Sequence, residues 1–291
     1  MRLPRRYKII QFLIFLGPIL TITVLLYAMI AWCTYISMSD WRSAAISLRF
    51  VGFRNYADVV STERFLVSLI NNIQWMILFM IPTTFLGLVL AYLIIMTGKE
   101  TLFRTIFLLS TAISMTVAGT LWVWMYASEG ALNTLFKMLG LNFLVRPWIS
   151  DPSTALYALI FVTIWQYLGF SIIVFEAAIK GIDRAIVEAA VVDGASGLTL
   201  FFRIILPQVK HAFLIVVPLL VLAALKVFDV VYVMTRGGPG LSTYVLAYFM
   251  WVKAFWERFM ADGAAIAIII LLLSLVVVIP YAWYALKRWF G

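Results

Sequence analysis

The chain has 291 residues, 65% of them hydrophobic and 12% charged, with a formal net charge of +9 and a mean hydropathy of +1.05. These proportions exclude an ordinary soluble domain, and basic residues scattered among long apolar runs indicate loop bias at a membrane, not a nucleic-acid surface. A single cysteine, Cys33, and a single histidine, His211, exclude a disulfide framework and a Cys/His metal cluster within the chain. Cys33 reads as apolar filler in a helix.

Crossing a hydrocarbon core of roughly 30 Å takes about 20 apolar residues. Six runs qualify, near residues 10–37, 69–97, 104–127, 154–179, 209–234 and 264–286. The expected fold class is therefore an all-α integral membrane protein with six transmembrane helices. The first run is too long for a signal-peptide core and has no small-residue cleavage site before the next polar stretch, so it reads as a retained helix. Arg2, Arg5, Arg6 and Lys8 precede it, Lys99 and Arg104 flank the turn after the second run, Lys180, Arg184, Arg203 and Lys210 surround the end of the fourth, and Lys287 and Arg288 close the last. The opposite loops carry Arg42, Arg49, Arg54, Arg64, Lys137, Arg146, Arg236, Lys253 and Arg258 at lower density. This bias predicts that both termini and the polar stretch after the fourth run face the cytoplasm.

Pro18, Pro82, Gly87, Gly169, Pro218 and Pro280 fall inside the runs and read as kinks or close approaches of ordinary membrane-helix packing. No internal repeat is visible, which weighs against a transporter built from inverted halves. Glu176, near the cytoplasmic end of the fourth run, is explained by snorkelling to the interface. Lys226 and Asp229 stand at i, i+3 on one face of the fifth run, as an internal ion pair or as a gating or substrate contact.

The most informative segment is residues 188 to 207. From Ser196, the spacing of Leu198, Phe201, Phe202 and Ile205 predicts an amphipathic helix with Ser196 as N-cap and Pro207 marking its end. Before it, Ile186, Ala189 and Ala190 form a narrower stripe, with Glu188 and Asp193 available for polar contacts and Gly194 supplying the turn. A helix lying on the headgroups is the competing reading, disfavoured by those two acids beside an anionic leaflet.

Glu188-Ala189-Ala190, three residues, Gly194, nine residues, then Ile204-Ile205-Leu206-Pro207 resembles the cytoplasmic signature of the permease subunits of binding-protein-dependent ABC importers. The run Phe228-Asp229-Val230-Val231-Tyr232-Val233-Met234-Thr235-Arg236-Gly237-Gly238-Pro239, with Thr243 and the aromatic stretch from Tyr248 to Phe255, is similar to the MalF/UgpA-type carbohydrate branch. Phe53-Arg54-Asn55-Tyr56 and Asn71-Asn72 resemble the approach to span two in that group. Asp183 and His211 depart from prolines common there and leave the local loop geometry open.

The resemblance implies a single permease domain over residues 1–291, with its core near 65–290 and a coupling helix-turn-helix at 183–207. In that family such a segment docks on a cytoplasmic ATPase, with Glu188 as anionic anchor, Gly194 as hinge, and Leu198, Phe201 and Phe202 holding the second helix to the bundle. Ala189, Ala190, Asp193, Leu206 and Pro207 complete the coupling set. The implied partners are a second homologous permease, two ATPase subunits that carry ATP and Mg, an extracytoplasmic solute-binding protein and membrane lipid, in the inner membrane of a prokaryote. The chain has no Gly-x-x-x-x-Gly-Lys-Ser/Thr loop of its own and no enzymatic constellation. Sugars are held by hydrogen bonds and aromatic stacking, which makes Asn72, Trp122, Trp124, Trp165, Gln166, Tyr167 and Tyr232 path candidates alongside Lys226 and Asp229, with headgroup anchoring as the alternative for the aromatics. The rival reading is an ion-gradient-driven secondary transporter, for which Asp229 and Glu176 are the available intramembrane acids.

Overall fold

The computed structural model describes residues 5–290, without the side chains of residues 5–13, 15, 284–286 and 288–290. Arg2 lies outside the described residues, as do the side chains of Arg5, Arg6, Lys8 and Arg288, on which part of the orientation argument rests.

In chain order the helices are α1 (Arg5–Ser37), α2 (Arg54–Val60), α3 (Glu63–Thr97), α4 (Glu100–Ala112), α5 (Met115–Met125), α6 (Ala131–Met138), α7 (Ala155–Lys180), α8 (Arg184–Val192), α9 (Gly197–Leu200), α10 (Leu206–Gln208), α11 (Lys210–Leu225), α12 (Asp229–Met234), α13 (Leu246–Trp251) and α14 (Met260–Phe290). A π-helical turn, Phe201–Ile205, joins α9 to α10, and another, Val252–Trp256, follows α13. Among the described residues four helices are long and apolar enough to cross a membrane: α1 over Leu16–Ser37, α3, α7, and α14 over Met260–Trp283. Two bent pairs raise that to six if each is one span, α4 with α5 at 96° and Gly197–Gln208 with α11 at 73°. The chain is a multi-pass membrane protein.

Two of the expected spans are not continuous helices. The run 104–127 breaks where Ile113 is extended and the Ser114 side chain accepts a hydrogen bond from the Val117 amide at 3.3 Å, which starts a new helix inside an apolar run. The run 209–234 stops at Leu225, leaves helical geometry at Lys226 and resumes at Asp229. α3 starts at Glu63, six residues before the expected 69, because the Thr62 hydroxyl caps it by accepting from the Phe65 amide at 3.2 Å. It ends on Gly98 at φ +66, a left-handed C-cap.

The chain forms two compact units, one of residues up to Ser61 with Met250–Ile269, the other Thr62–Phe249 with the remainder of α14. In the first, buried Asn55 donates to the Ser37 and Ser39 carbonyls at 2.8 and 2.7 Å, so the Phe-Arg-Asn-Tyr stretch pins the chain as it leaves α1. Arg42 joins Asp58 at 2.6 Å and Asp262 at 3.0 Å. Cys33 lies in α1, as expected of a helical filler, and is half-buried with its sulfur 4.0 Å from the Ala264 carbonyl.

In the second unit α3 packs along α7 and α11, and α4 lies against α7. Trp75, Phe79, Leu159, Ile172, Phe175 and Leu220 are fully buried there. Pro82 and Pro218 sit inside helices that continue past them. The glycines set the helix spacing, for a Cβ on Gly87 would meet the Ser171 side chain and backbone, and one on Gly169 the Phe107 carbonyl. Gly87→Val is therefore expected to lower stability by about 1–3 kcal/mol through overpacking of α3 on α7. Thermal unfolding of the purified protein checks this, with Gly17→Ala, whose Cβ meets nothing within 4 Å, as the neutral comparison.

Candidate functional site

A break in a membrane helix frees backbone groups, which persist only where protein satisfies them or where they border a cavity. Both conditions hold here. At the α4/α5 break the Gln166 amide donates to the Ile113 carbonyl at 2.6 Å, while the Thr111 hydroxyl donates to the Gln166 carbonyl at 2.7 Å. At the end of α11 the Asn72 amide donates to the Ala224 carbonyl at 2.9 Å, and its oxygen accepts from the Leu246 amide at 2.8 Å.

Both breaks open on one cavity of about 240 Å³. Met115, at the start of α5, lines it together with Thr163 and Tyr167, one turn apart on α7, and with Lys226, Phe228 and Asp229 from the α11/α12 break. Lys226 and Asp229 thus share a cavity and not a helix face, because the helix that would align them ends at Leu225. Among the described residues they form no ion pair, so the expected internal pair is corrected to two separate charges facing the same space. Asp229 opens α12, where the helix dipole favours an anion.

The other path candidates divide. Tyr232 stacks on Phe228 at 5.4 Å between ring centroids, and Phe228 on Tyr248 at 6.4 Å, extending an aromatic ladder from the cavity wall. Trp122 instead packs edge-on against Trp165 at 5.8 Å and Phe161 at 5.3 Å, in the α5/α7 contact. Trp124 is exposed. Asn72 and Gln166 are buried, Asn72 engaged on backbone through both its NH2 group and its oxygen and Gln166 through its NH2 group, and neither lines the cavity. Sequence reasoning missed Met115, Thr163 and Phe228. Thr163, a hydroxyl four residues before Tyr167, was the one legible signal.

The segment after α7 is built as follows. The Asp183 side chain accepts from the Ala185 amide at 2.9 Å, so the aspartate standing where the family often has proline caps α8. The helix closes with Gly194 at φ +87 and bonds from the Gly194 amide to the Val191 carbonyl at 3.0 Å and from the Ala195 amide to the Ala190 carbonyl at 2.8 Å. Ser196 occupies the N-cap position of α9, but its side chain makes no capping bond, and Gly197 at φ +50 is a second turn point.

The expected stripe is kept at Phe201 and Ile205 but not throughout, and a π turn winds Phe201–Ile205 wider than an α-helix. Leu200, Phe201 and Ile205 are buried, whereas Leu198 and Phe202 are exposed and do not hold the helix to the bundle. Phe201 meets the Tyr92 ring at 5.1 Å, and the Tyr92 hydroxyl donates to the Gly197 carbonyl at 3.1 Å. Pro207 does not end the helix: it sits at the start of α10, where an absent amide hydrogen does little harm. Ala190 is buried, Glu188, Ala189 and Asp193 are exposed, and Leu206 is half-buried. Val192 at 87% and Leu198 at 74% exposure, with Val191, leave an apolar surface on both sides of Gly194.

Glu176 does not snorkel. It is 2% exposed and accepts from both Arg104 side-chain nitrogens that reach it, and from Lys180 at 2.9 Å. Lys180 also pairs with Glu100. The crossing of α4 on α7, invisible in the local sequence, supplies Arg104 and Glu100, whereas Lys180 stands at i+4 on the helix of Glu176 itself.

The chain is 42% identical over 278 residues to a probable ABC transporter permease protein of Pyrococcus horikoshii, covering 94% of this chain and 95% of that one. It is 33% identical over 277 residues to the xylose/arabinose import permease protein XacH of Haloferax volcanii, covering 93% and 86%. Among solved structures, a chain of the bacterial alginate ABC transporter, in complex with its alginate pentasaccharide-bound periplasmic protein, has the same fold, with TM-score 0.77 at 22% identity over 96% of each chain. No family model matches the chain.

Proposed function

Because the chain belongs to the ABC transporter permeases, we propose that it forms the membrane path of an ATP-driven importer for a carbohydrate or sugar-like solute and couples that path to a separate ATPase. It is a non-catalytic subunit, and ATP hydrolysis belongs to the partner. The observation that carries the path is the single cavity shared by two helix breaks. Its Tyr167 hydroxyl, Lys226 ammonium and Asp229 carboxylate offer donors and acceptors to sugar hydroxyls, and the Phe228–Tyr232 stack offers a face for sugar C–H groups. The relative named for xylose and arabinose import supports the same class.

In this reading each bent pair is one span, giving six crossings with both termini in the cytoplasm. Residues 183–207 form the coupling segment, and exposed Val191, Val192 and Leu198 are its contact with the ATPase. A second permease, two ATPase subunits and an extracytoplasmic binding protein complete the assembly. The alternative, an ion-gradient mechanism, keeps Asp229 as its one available acid, since Glu176 is engaged by Arg104 and Lys180.

The assembly reconstituted in vesicles is tested with radiolabelled xylose and maltose. Uptake is expected to require ATP, and Lys226→Gln and Asp229→Asn each to lower it about tenfold, the worth of one charge-assisted hydrogen bond to substrate. Full uptake in both variants would remove the cavity from the path, and uptake that survives without ATP would remove the importer reading.

A further inference from the structure

The start of α4 and the end of α7 are tied by a closed ring of four charges. Glu100 and Arg104 stand one turn apart on α4, and Glu176 and Lys180 one turn apart on α7. Arg104 reaches Glu176 with two side-chain nitrogens, Glu176 accepts from Lys180 at 2.9 Å, Lys180 pairs with Glu100, and Glu100 lies 3.8 Å from Arg104. Every charge therefore has an opposite neighbour on both sides, and Glu176 is the buried corner. The tie continues away from the ring. A Cβ on Gly169 would meet the Phe107 carbonyl, so the two helices touch there. The Ser110 and Thr111 hydroxyls donate to the Trp165 and Gln166 carbonyls at 3.1 and 2.7 Å, and the Gln166 amide donates to the Ile113 carbonyl at 2.6 Å.

α4 is thus held antiparallel to α7 over its full length, about 20 Å at the usual rise per residue. One end of the pair is the ring, four residues of chain before α8, and the other is the break at Ile113, two residues before Met115 on the cavity wall. Single hydrogen bonds between membrane helices contribute little, whereas breaking a buried ion pair is costly, so the ring dominates the resistance to sliding. We propose that Glu176 is a positioning residue for transport: by holding Arg104 and Lys180 in the ring it makes α4 and α7 one body, so that displacement of the segment after α7 arrives at Ile113 and Met115. This rests on the importer reading above, in which that segment meets the ATPase. Without the ring α7 moves while α4 lags, and ATP is hydrolysed with little change at the cavity.

Solute moved per ATP hydrolysed is measured on the reconstituted assembly with radiolabelled xylose and maltose. This ratio does not depend on the fraction of protein that folds, so a merely structural role leaves it unchanged. Glu176→Gln is expected to lower it about tenfold. Arg104→Cys with Glu176→Cys, in a chain freed of its one native thiol by Cys33→Ser, is expected to be equally uncoupled, to regain coupling when a bis-methanethiosulfonate bridges the pair, and to lose it again on reduction. Normal coupling in Glu176→Gln, or a bridged pair that stays uncoupled, overturns the proposal and leaves the importer reading standing; wild-type uptake that needs no ATP removes both. A second measurement keeps the ring intact. Spin labels on Leu102→Cys and Ala177→Cys, exposed positions of α4 and α7, are expected to keep one separation with and without bound ATP, and a separation that changes overturns the single body.

Discussion

Asn72→Ala is expected to lower the thermal midpoint of the protein by roughly 5–15 °C. Asn72 is 1% exposed, and its side chain satisfies both the Ala224 carbonyl, at the end of α11, and the Leu246 amide, at the start of α13. Alanine leaves the buried Leu246 amide without a partner, at a cost of about 1–3 kcal/mol, and leaves the Ala224 carbonyl only its longer bond from the Val227 amide at 3.4 Å, in a region that water reaches poorly. Asn72→Asp separates the two halves of this role. It keeps an oxygen for the Leu246 amide, but an ionised carboxylate buried against the Ala224 carbonyl is repelled, so the variant should be no more stable than alanine at neutral pH and should recover on acidification, when its O–H can donate to Ala224. Asn71 is a useful neighbour, donating to the Leu241, Ser242 and Tyr244 carbonyls of the loop before α13. Differential scanning fluorimetry of the purified complex reads the series. An alanine variant of normal stability that had lost transport would return Asn72 to the substrate path.

Gly194→Val is expected to leave the complex inserted and assembled but to lower substrate-stimulated ATPase activity and uptake about tenfold or more. At φ +87 a residue with a Cβ loses about 1–2 kcal/mol, and a β-branched one more. Since a Cβ there would meet nothing within 4 Å, the effect comes through the backbone and not through a clash. Relief of the strain rotates α8 against α9, separating Val191 and Val192 from Leu198 on the surface proposed to meet the ATPase. Gly194→Asn, which tolerates the left-handed region, should retain much of the coupling. ATPase assays with and without sugar-loaded binding protein distinguish the variants. Equal loss in Asn and Val would point to a direct contact at Gly194, and normal coupling in Val would remove the hinge.

Much of the segment after α7 was legible because its signals are local. A glycine at a left-handed turn follows from short-range sterics, and residue spacing alone carried the family resemblance from Glu188 to Pro207. The amphipathic stripe beyond it holds at Phe201 and Ile205 and fails at Phe202, inside the π turn, and at Leu198, which precedes that turn beside the Gly197 turn point. The path was harder. Gln166 and Asn72 looked like substrate ligands because a polar side chain in a span must find a partner, but the partner turned out to be a broken backbone. Thr163 and Met115 carried too little polarity to stand out, and they matter because two breaks meet beside them.

The sequence by itself determined that this is a helical, multi-pass membrane chain whose polar segment follows the fourth apolar run, since hydrophobic length, charge bias and turn chemistry are properties of neighbouring residues. Only the tertiary structure decided which polar groups are free to meet a solute. Lys226 and Asp229 were separated by the end of α11 at Leu225, and Glu176 was neutralised by Arg104 from a helix 72 residues away in the chain. Burial and pairing are set by what packs against a side chain, and the helix crossings that decide it join residues no local pattern connects.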